Sequence, residues 1–204
     1  FMKEFWDQRY AQEAMAYGES PNVFFREQLN SLAPGRILLP AEGEGRNAIY
    51  AATLGWEVWA YDWSEVARAK ALNYASKQGV TIEYHLGSLD ELPQRTSFFD
   101  AIALIYVHFP DHIRQRQMRL LQSWLKPNGR LILEGFSKKH PQYQALNPLV
   151  GGPKNADQLY DLDDLLSDFD QCHSLIAVSQ EIELQEGFCH CGTAHVVRLH
   201  LEKL

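Results

Sequence analysis

The stretch LLPAEGEGRNAIY, Leu38–Tyr50, decides the fold of this 204-residue chain, because it joins an apolar run to a helix through two glycines. In α/β proteins such a turn lets a ligand approach the backbone at the end of a buried strand. Gly43, Gly45 and Ala48 fit the nucleotide-binding pattern G-x-G-x-x-G/A. Asp62 ends the next apolar run about twenty residues on, where an acid accepts hydrogen bonds from a ribose.

Each of the two loop glycines follows a glutamate, Glu42 or Glu44, and these carboxylates discriminate between ligands. The pyrophosphate of a dinucleotide would be repelled there by several kcal/mol, because like charges meet in a partly desolvated loop. S-adenosylmethionine has no phosphate and carries a sulfonium and an ammonium, which carboxylates attract. The loop therefore favours S-adenosylmethionine.

Short apolar runs alternate with helical segments along most of the chain. One helix is predicted from an N-cap at Ser64 to a C-terminal glycine at Gly79, and another from Asp111 to a point before Pro127. This alternation predicts parallel strands joined by right-handed crossovers. The strand candidates are RILLP (36–40), EVWAYD (57–62), TIEYHL (81–86), DAIALIYV (100–107) and RLILEGF (130–136).

The end of the chain breaks this alternation, because no helix fits between the two final strand candidates, 179–187 and 193–204. These two runs predict an antiparallel hairpin at the sheet edge. The predicted fold class is α/β: a doubly wound, Rossmann-like seven-stranded sheet, mostly parallel, with an antiparallel terminal hairpin and helices on both faces. We expect one domain, 1–204, in which 1–34 form a helical cap over the cofactor site and 137–160 a loop-rich insertion near the acceptor site.

The bulk properties narrow the class of partner. A net charge of −7 and a pI near 5.6 leave no basic surplus, which argues against nucleic acids and anionic membranes. No run reaches the roughly 18 apolar residues that a membrane helix needs, so a cytoplasmic protein is expected. We expect this protein to be a monomer or a homodimer. The three cysteines, Cys172, Cys189 and Cys191, lack the spacing of a zinc motif, and no metal is predicted.

Several motifs together resemble the class I S-adenosylmethionine-dependent methyltransferases, over nearly the whole chain. They are YGESPN, EGEGRNA, YDWS, LKPNGRLILEGF and GGPK, followed by the hairpin. The likeness is to the small bacterial group that includes tellurite-resistance and thiopurine-type methyltransferases. It implies methyl transfer from S-adenosylmethionine to a small-molecule acceptor, such as a thiol or a metalloid oxyanion, with S-adenosylhomocysteine as product.

The resemblance also implies roles for residues near the cofactor. Gly43 and Gly45 would approach the methionine moiety, and Asp62 would bind both ribose hydroxyls. Ile105 and Tyr106 would end the fourth strand beneath the sulfonium. The remaining cofactor-binding candidates are Tyr17, Glu42, Arg46, Asn47, Trp63, Ser64, Ser88 and Leu89.

This sequence departs from the family pattern at two places in the first motif. Leu39 and Ala41 stand where relatives have an acid and a glycine, and Glu42 is expected to compensate for the missing acid. Arg46 and Asn47 are either cofactor ligands or simply first-turn helix residues.

The acceptor side is predicted around YVHFP, 106–110, at the carboxyl end of the fourth strand. Alternation places Tyr106 and His108 on one side of that strand, and both are catalytic candidates. His108 is either a base or anion ligand, or a polar residue packed at the start of a loop. The substrate-binding candidates are Arg9, Tyr10, Glu134, Lys154 and His190.

Two alternatives to a methyltransferase stay open at this point. One is an NAD-dependent oxidoreductase on the same Rossmann fold, against which the paired glutamates argue. The other is an S-adenosylmethionine-binding protein without turnover, which the altered positions Leu39 and Ala41 allow.

Overall fold

The computed structural model describes residues 2–204, so residue 1 of the predicted domain lies outside the described range. Within it, seven strands form one sheet: β1 (Arg36–Pro40), β2 (Glu57–Asp62), β3 (Glu83–Leu86), β4 (Phe99–Ile105), β5 (Leu125–Phe136), β6 (Cys172–Glu186) and β7 (His190–Lys203). The strand order is β3-β2-β1-β4-β5-β7-β6. Strands β1 to β5 pair in parallel, and β7 pairs antiparallel with both β5 and β6. The predicted Rossmann-like sheet with its terminal hairpin is confirmed.

Helices cover both faces of this sheet. They are α1 (Met2–Tyr10), α2 (Val23–Leu29), α3 (Arg46–Thr53), α4 (Glu65–Lys77), α5 (Asp111–Trp124), α6 (Pro141–Leu146) and α7 (Leu162–Asp168), with 3₁₀ turns at Leu89–Glu91, Pro148–Val150 and Ala156–Gln158.

Two hydrophobic cores separate these layers, and β1 supplies side chains to both of them because its residues alternate in direction. Leu38 packs into the core beneath α5 and α7, whereas Ile37 and Leu39 pack beneath α2, α3 and α4. Because β1 to β5 run parallel, their carboxyl ends lie at the same edge of the sheet, where the glycine loop lies.

The local helix signals are confirmed. Ser64 caps α4 by accepting the backbone N–H of Ala67, and Gly79 follows the helix with a φ of 70°. Helix α5 begins at Asp111 as predicted.

The end of β4 differs from the predicted one, because the backbone turns there. Strand β4 ends at Ile105 because Tyr106 has a φ of 55°, which an extended strand does not allow. The expected alternation of Tyr106 and His108 along that strand was therefore wrong. Of the helices within residues 2–204, none is long and apolar enough to span a membrane.

Candidate active site

The two glycines of the loop after β1 are required for different structural reasons. Both have positive φ, 61° at Gly43 and 86° at Gly45. A Cβ on Gly43 would lie 2.7 Å from the hydroxyl of Tyr10, whereas one on Gly45 would lie 2.7 Å from the Cβ of Ala71 in α4. Gly43 therefore permits the close approach of Tyr10, and Gly45 permits close packing of α3 against α4. A ligand contact of either glycine stays a prediction.

The two departures from the family pattern lie in different structural settings. Ala41 adopts a φ of 48°, the left-handed region where relatives have glycine, at an expected cost of about 1–2 kcal/mol. Leu39 is fully buried in the core.

Asp62 is held rigidly at the end of β2. Its carboxylate accepts the backbone N–H groups of Gly43 and Ser64, each at 3.0 Å. Burial raises the pKa of Asp62, while these two backbone hydrogen bonds oppose the rise. A carboxylate has about four acceptor sites, so these bonds leave acceptor capacity for a hydroxyl of a ligand.

The two loop glutamates are not equivalent, although the sequence suggested that both attract a cation. Glu44 is buried, accepts the backbone N–H of Ala16 and forms an ion pair with Lys70, so its charge is already balanced. Glu42 accepts the N–H of Ala48 at 2.7 Å, and burial raises its pKa to about 7. Glu42 is therefore the carboxylate whose ionisation a nearby positive charge would favour.

The amino-terminal segment is fastened over the loop. Lys70 donates to the backbone carbonyls of Tyr10, Gln12 and Ala14, and thereby ties the segment after α1 to α4. The side chain of Tyr10, a predicted substrate-binding residue, is 4% exposed and packs in one hydrophobic cluster with Tyr17. Arg9, another such candidate, donates a hydrogen bond to the Tyr17 hydroxyl at 3.1 Å. This arrangement agrees with a cap over the site, whose role stays a prediction.

Two buried carboxylates share one amide from the amino-terminal segment. Asn22 Nδ2 lies 2.7 Å from Glu134 Oε1 and 2.8 Å from Glu186 Oε1. Glu134 also accepts from the Tyr106 hydroxyl at 2.6 Å and forms an ion pair with Arg198. The acid that the sequence placed in an apolar run is thus paired, as burial requires.

Glu186 has two further partners besides Asn22. It forms an ion pair with Arg46 at 2.9 Å and lies 3.3 Å from Nδ1 of His190. These two cationic or polar partners lower its pKa to about 2, although burial opposes the shift. Arg46 and Asn47 have structural partners here, because Arg46 also donates to the carbonyl of Tyr17 and Asn47 accepts the N–H of Asn22.

Sequence reasoning missed three members of this network: Asn22, Glu186 and Arg198. Asn22 had a usable signal, since an asparagine before an apolar run predicts an N-cap, and it caps α2 by accepting the N–H of Phe25. Glu186 and Arg198 had none, because the ion-pair partners that balance their charges, Arg46 and Glu134, lie far away in the chain.

His108, one of the two catalytic candidates, is packed between Phe136 and Tyr160. Its Nδ1 donates to the carbonyl of Gln158 at 2.7 Å, and its Nε2 accepts the N–H of Phe136 at 3.2 Å. Burial lowers its pKa to about 4. The geometry therefore favours the interpretation of His108 as a polar residue packed at the start of a loop. A role of His108 in proton transfer has no structural support.

The remaining candidates are spread around the crevice. The side chain of Leu89 lies in the hydrophobic core, so any contact with an adenine would come from its backbone. Trp63 is 41% exposed, and the N–H of Ser88 donates to Glu91. Ile105 is half-buried at the end of β4, and Lys154 is exposed in the insertion.

Comparison with known proteins identifies part of the chain directly. Residues 37–129 match the family model described as "Methyltransferase domain". The curated proteins include no match.

Solved structures resemble the chain over its whole length at low identity. The structure described as "Conversion of a Disulfide Bond into a Thioacetal Group during Echinomycin Biosynthesis" has a TM-score of 0.80 at 16% identity and covers 100% of this chain and 92% of its own. TehB from Haemophilus influenzae has a TM-score of 0.72 at 14% identity, with coverages of 99% and 67%. Magnesium protoporphyrin IX methyltransferase (ChlM) from Synechocystis PCC 6803, with bound S-adenosylhomocysteine, has a TM-score of 0.67 at 15% identity, with coverages of 100% and 98%.

At these identities the solved structures show the shared fold, and the family match supplies the activity. The matched segment contains β1, the glycine loop, Asp62 and β4, which are the parts that build the crevice. Neither alternative considered from the sequence gains support. Residues 37–129 thus match a methyltransferase domain, within a Rossmann-like fold that the chain shares with S-adenosylmethionine-dependent methyltransferases.

Proposed function

We propose that the acceptor is a small molecule held in the crevice at the carboxyl ends of β4 and β5. The observation that carries this proposal is a compact aromatic cluster beside the loop. The ring of His190 lies 4.5 Å from that of Tyr106 and 5.3 Å from that of Phe136, between centroids, and 4.5 Å from that of Tyr17. Such an enclosed surface, on a protein with a net charge of −7, suits a small acceptor better than a nucleic acid.

The residues present fit S-adenosylmethionine. Asp62 offers acceptor capacity for ribose hydroxyls, Gly43 offers a backbone without a side chain, and Glu42 offers a carboxylate that a cation would ionise. The bound donor supplies a methyl group on a positively charged sulfur. The chain's own contribution is mainly alignment, because an acceptor held at attack distance needs little further help. The other predicted cofactor contacts, from Tyr17, Arg46, Asn47, Trp63, Ser64, Ser88, Leu89 and Ile105, stay predictions.

Replacing Asp62 by alanine is expected to weaken S-adenosylhomocysteine binding by about 1.5–3 kcal/mol, because two hydrogen bonds to a carboxylate are lost. Titration calorimetry measures the effect. Asp100 provides a matched control: it also accepts a backbone N–H, from Arg36, but at the opposite end of the sheet. Asp100→Ala should leave the affinity within twofold, and an equally small effect at Asp62 would remove that residue from the site.

The affinity for S-adenosylmethionine is expected to depend on pH through Glu42. With a pKa of about 7, this group is largely protonated at pH 6, and a bound cation would favour its ionised form. Affinity should therefore rise by about tenfold from pH 6 to pH 8, with proton release on binding below pH 7. Calorimetry in buffers of different ionisation enthalpy detects that proton, and Glu42→Gln should abolish its release. Unchanged proton release in Glu42→Gln would assign the titration to another group.

The acceptor class is tested with a donor labelled in its methyl group. We expect label to appear in one or more small thiols, phenols or metalloid oxyanions, and not in RNA, DNA or protein. Labelling of a polymer alone would refute the small-molecule proposal.

A further inference from the structure

Three histidines, His108, His140 and His190, surround the ring of Phe136, with centroid distances of 5.8, 4.1 and 5.3 Å. Two of them have both ring nitrogens bonded to the backbone. His108 bonds Gln158 and Phe136, as described, while His140 donates from Nε2 to the carbonyl of Gly151 and accepts the N–H of His195 at Nδ1. For His190, Nδ1 faces Glu186, and no residue within 2–204 hydrogen-bonds its Nε2.

We propose that His190, oriented by Glu186, is the base that takes a proton from the acceptor. The proposal rests on the proposed function, since it concerns acceptors bound in that crevice, and it names their class: small molecules with an S–H or O–H group that must be deprotonated. His190 is thus the catalytic residue, and Glu186 is a positioning residue.

The hydrogen-bond partner fixes which nitrogen of His190 carries the proton. The carboxylate of Glu186 already accepts from Arg46 and Asn22, and an ionised carboxylate can only accept. Nδ1 of neutral His190 must therefore carry the hydrogen, which leaves the lone pair on Nε2. This is the tautomer that a base requires, and a carboxylate behind the ring stabilises the imidazolium that forms.

The surroundings keep His190 neutral before the reaction, and a glycine lies beside its Nε2. Burial lowers the pKa of His190, against the opposing effect of Glu186. A Cβ on Gly151 would lie 3.1 Å from Nε2, so the glycine keeps that side of the ring clear of a side chain. The titratable or charged groups facing His190 are Glu186 on β6, Glu134 on β5, Arg46 on α3, Tyr17 and Tyr106, and His108 and His140.

The proposed step conserves charge. The acceptor's S–H or O–H proton moves to Nε2 of His190 while the acceptor's electron pair forms a bond to the methyl carbon. The carbon–sulfur bond breaks and its pair stays on sulfur, so one positive charge passes from the sulfonium to the imidazolium. An acceptor that is already an anion needs no base, and His190 contributes little to its reaction.

Two acceptor probes of similar shape separate these cases: thiophenol, ionised at pH 8, and phenol, still protonated because phenols have a pKa of about 10. We expect His190→Gln to lower turnover with phenol by about 10²-fold or more and to change turnover with thiophenol less than about threefold. His140→Gln, a neighbouring histidine with both nitrogens bonded, is the matched control and should affect both probes alike. Equal losses on the two probes in His190→Gln would overturn the proposal.

A second measurement does not depend on activity. Nitrogen-15 NMR of the labelled wild-type protein should show His190 as the Nδ1–H tautomer, and Glu186→Gln should lower its pKa, because the stabilising charge is removed. An Nε2–H tautomer would overturn the proposal. If the wild-type protein methylates neither probe, that result counts against the proposed function, and the tautomer alone then decides the assignment of the base.

Discussion

Glu134→Ala is expected to lower the free energy of unfolding by about 3–5 kcal/mol, because removing one partner leaves the other charge buried and unpaired. Glu134 is 1% exposed, and it is the ion-pair partner of Arg198. The same change also leaves the Tyr106 hydroxyl and one contact of Asn22 without their acceptor. Chemical denaturation monitored by circular dichroism measures the loss.

Glu57→Ala is the control for this substitution. Its carboxylate pairs with Arg36 on the surface, where such pairs contribute about 0–1 kcal/mol. A loss at Glu134 no larger than that at Glu57 would show that the buried network does not stabilise the fold. The double variant Glu134→Ala with Arg198→Ala should lose less than the sum of its single variants, because no unpaired charge remains.

Gly45→Ala is expected to destabilise the protein by about 2–5 kcal/mol through two separate effects. The φ of 86° strains any residue with a side chain by about 1–2 kcal/mol, and the new methyl would lie 2.7 Å from the Cβ of Ala71, which overpacks the contact between α3 and α4 by about 1–3 kcal/mol. Thermal and chemical denaturation measure the sum.

Gly79→Ala separates the two effects, because Gly79 has a similar φ of 70° but nothing within 4 Å of an added Cβ. It should show the backbone strain alone. Adding Ala71→Gly to Gly45→Ala should recover part of the packing component. If Gly45→Ala costs no more than Gly79→Ala, the close approach of the two helices is not what requires a glycine.

The parts of the structure that the sequence predicted depend on neighbouring residues. The β1 loop, the cap at Ser64 and the start of α5 at Asp111 each arise from a few consecutive residues with a defined backbone preference. The sheet with its hairpin follows from the order of these elements, because few connections are compatible with it.

The parts that the sequence did not predict depend on distant partners. His108 and His190 look alike as isolated residues near strand ends, and both were candidates. What distinguishes them is the backbone at Gln158 and Phe136, which occupies both nitrogens of His108, and Glu186, which leaves one nitrogen of His190 free. The contacts of His108 join residues 50 and 28 positions apart, so no local pattern encodes them, and Glu186 faces His190 only once β6 and β7 have paired.

The amide of Asn22, which bridges Glu134 and Glu186, also affects the order in which the protein assembles. Its two partners are 112 and 164 residues further along the chain. Helix α2, directly after Asn22, contacts α3, which follows it in the chain, but packs mainly against β5, which is made much later. The bridge itself forms only after β6 has been made, and contacts of such long sequence separation slow folding. The segment around Asn22, although made well before β6, is therefore among the last parts to reach its native position, and the crevice stays open until then.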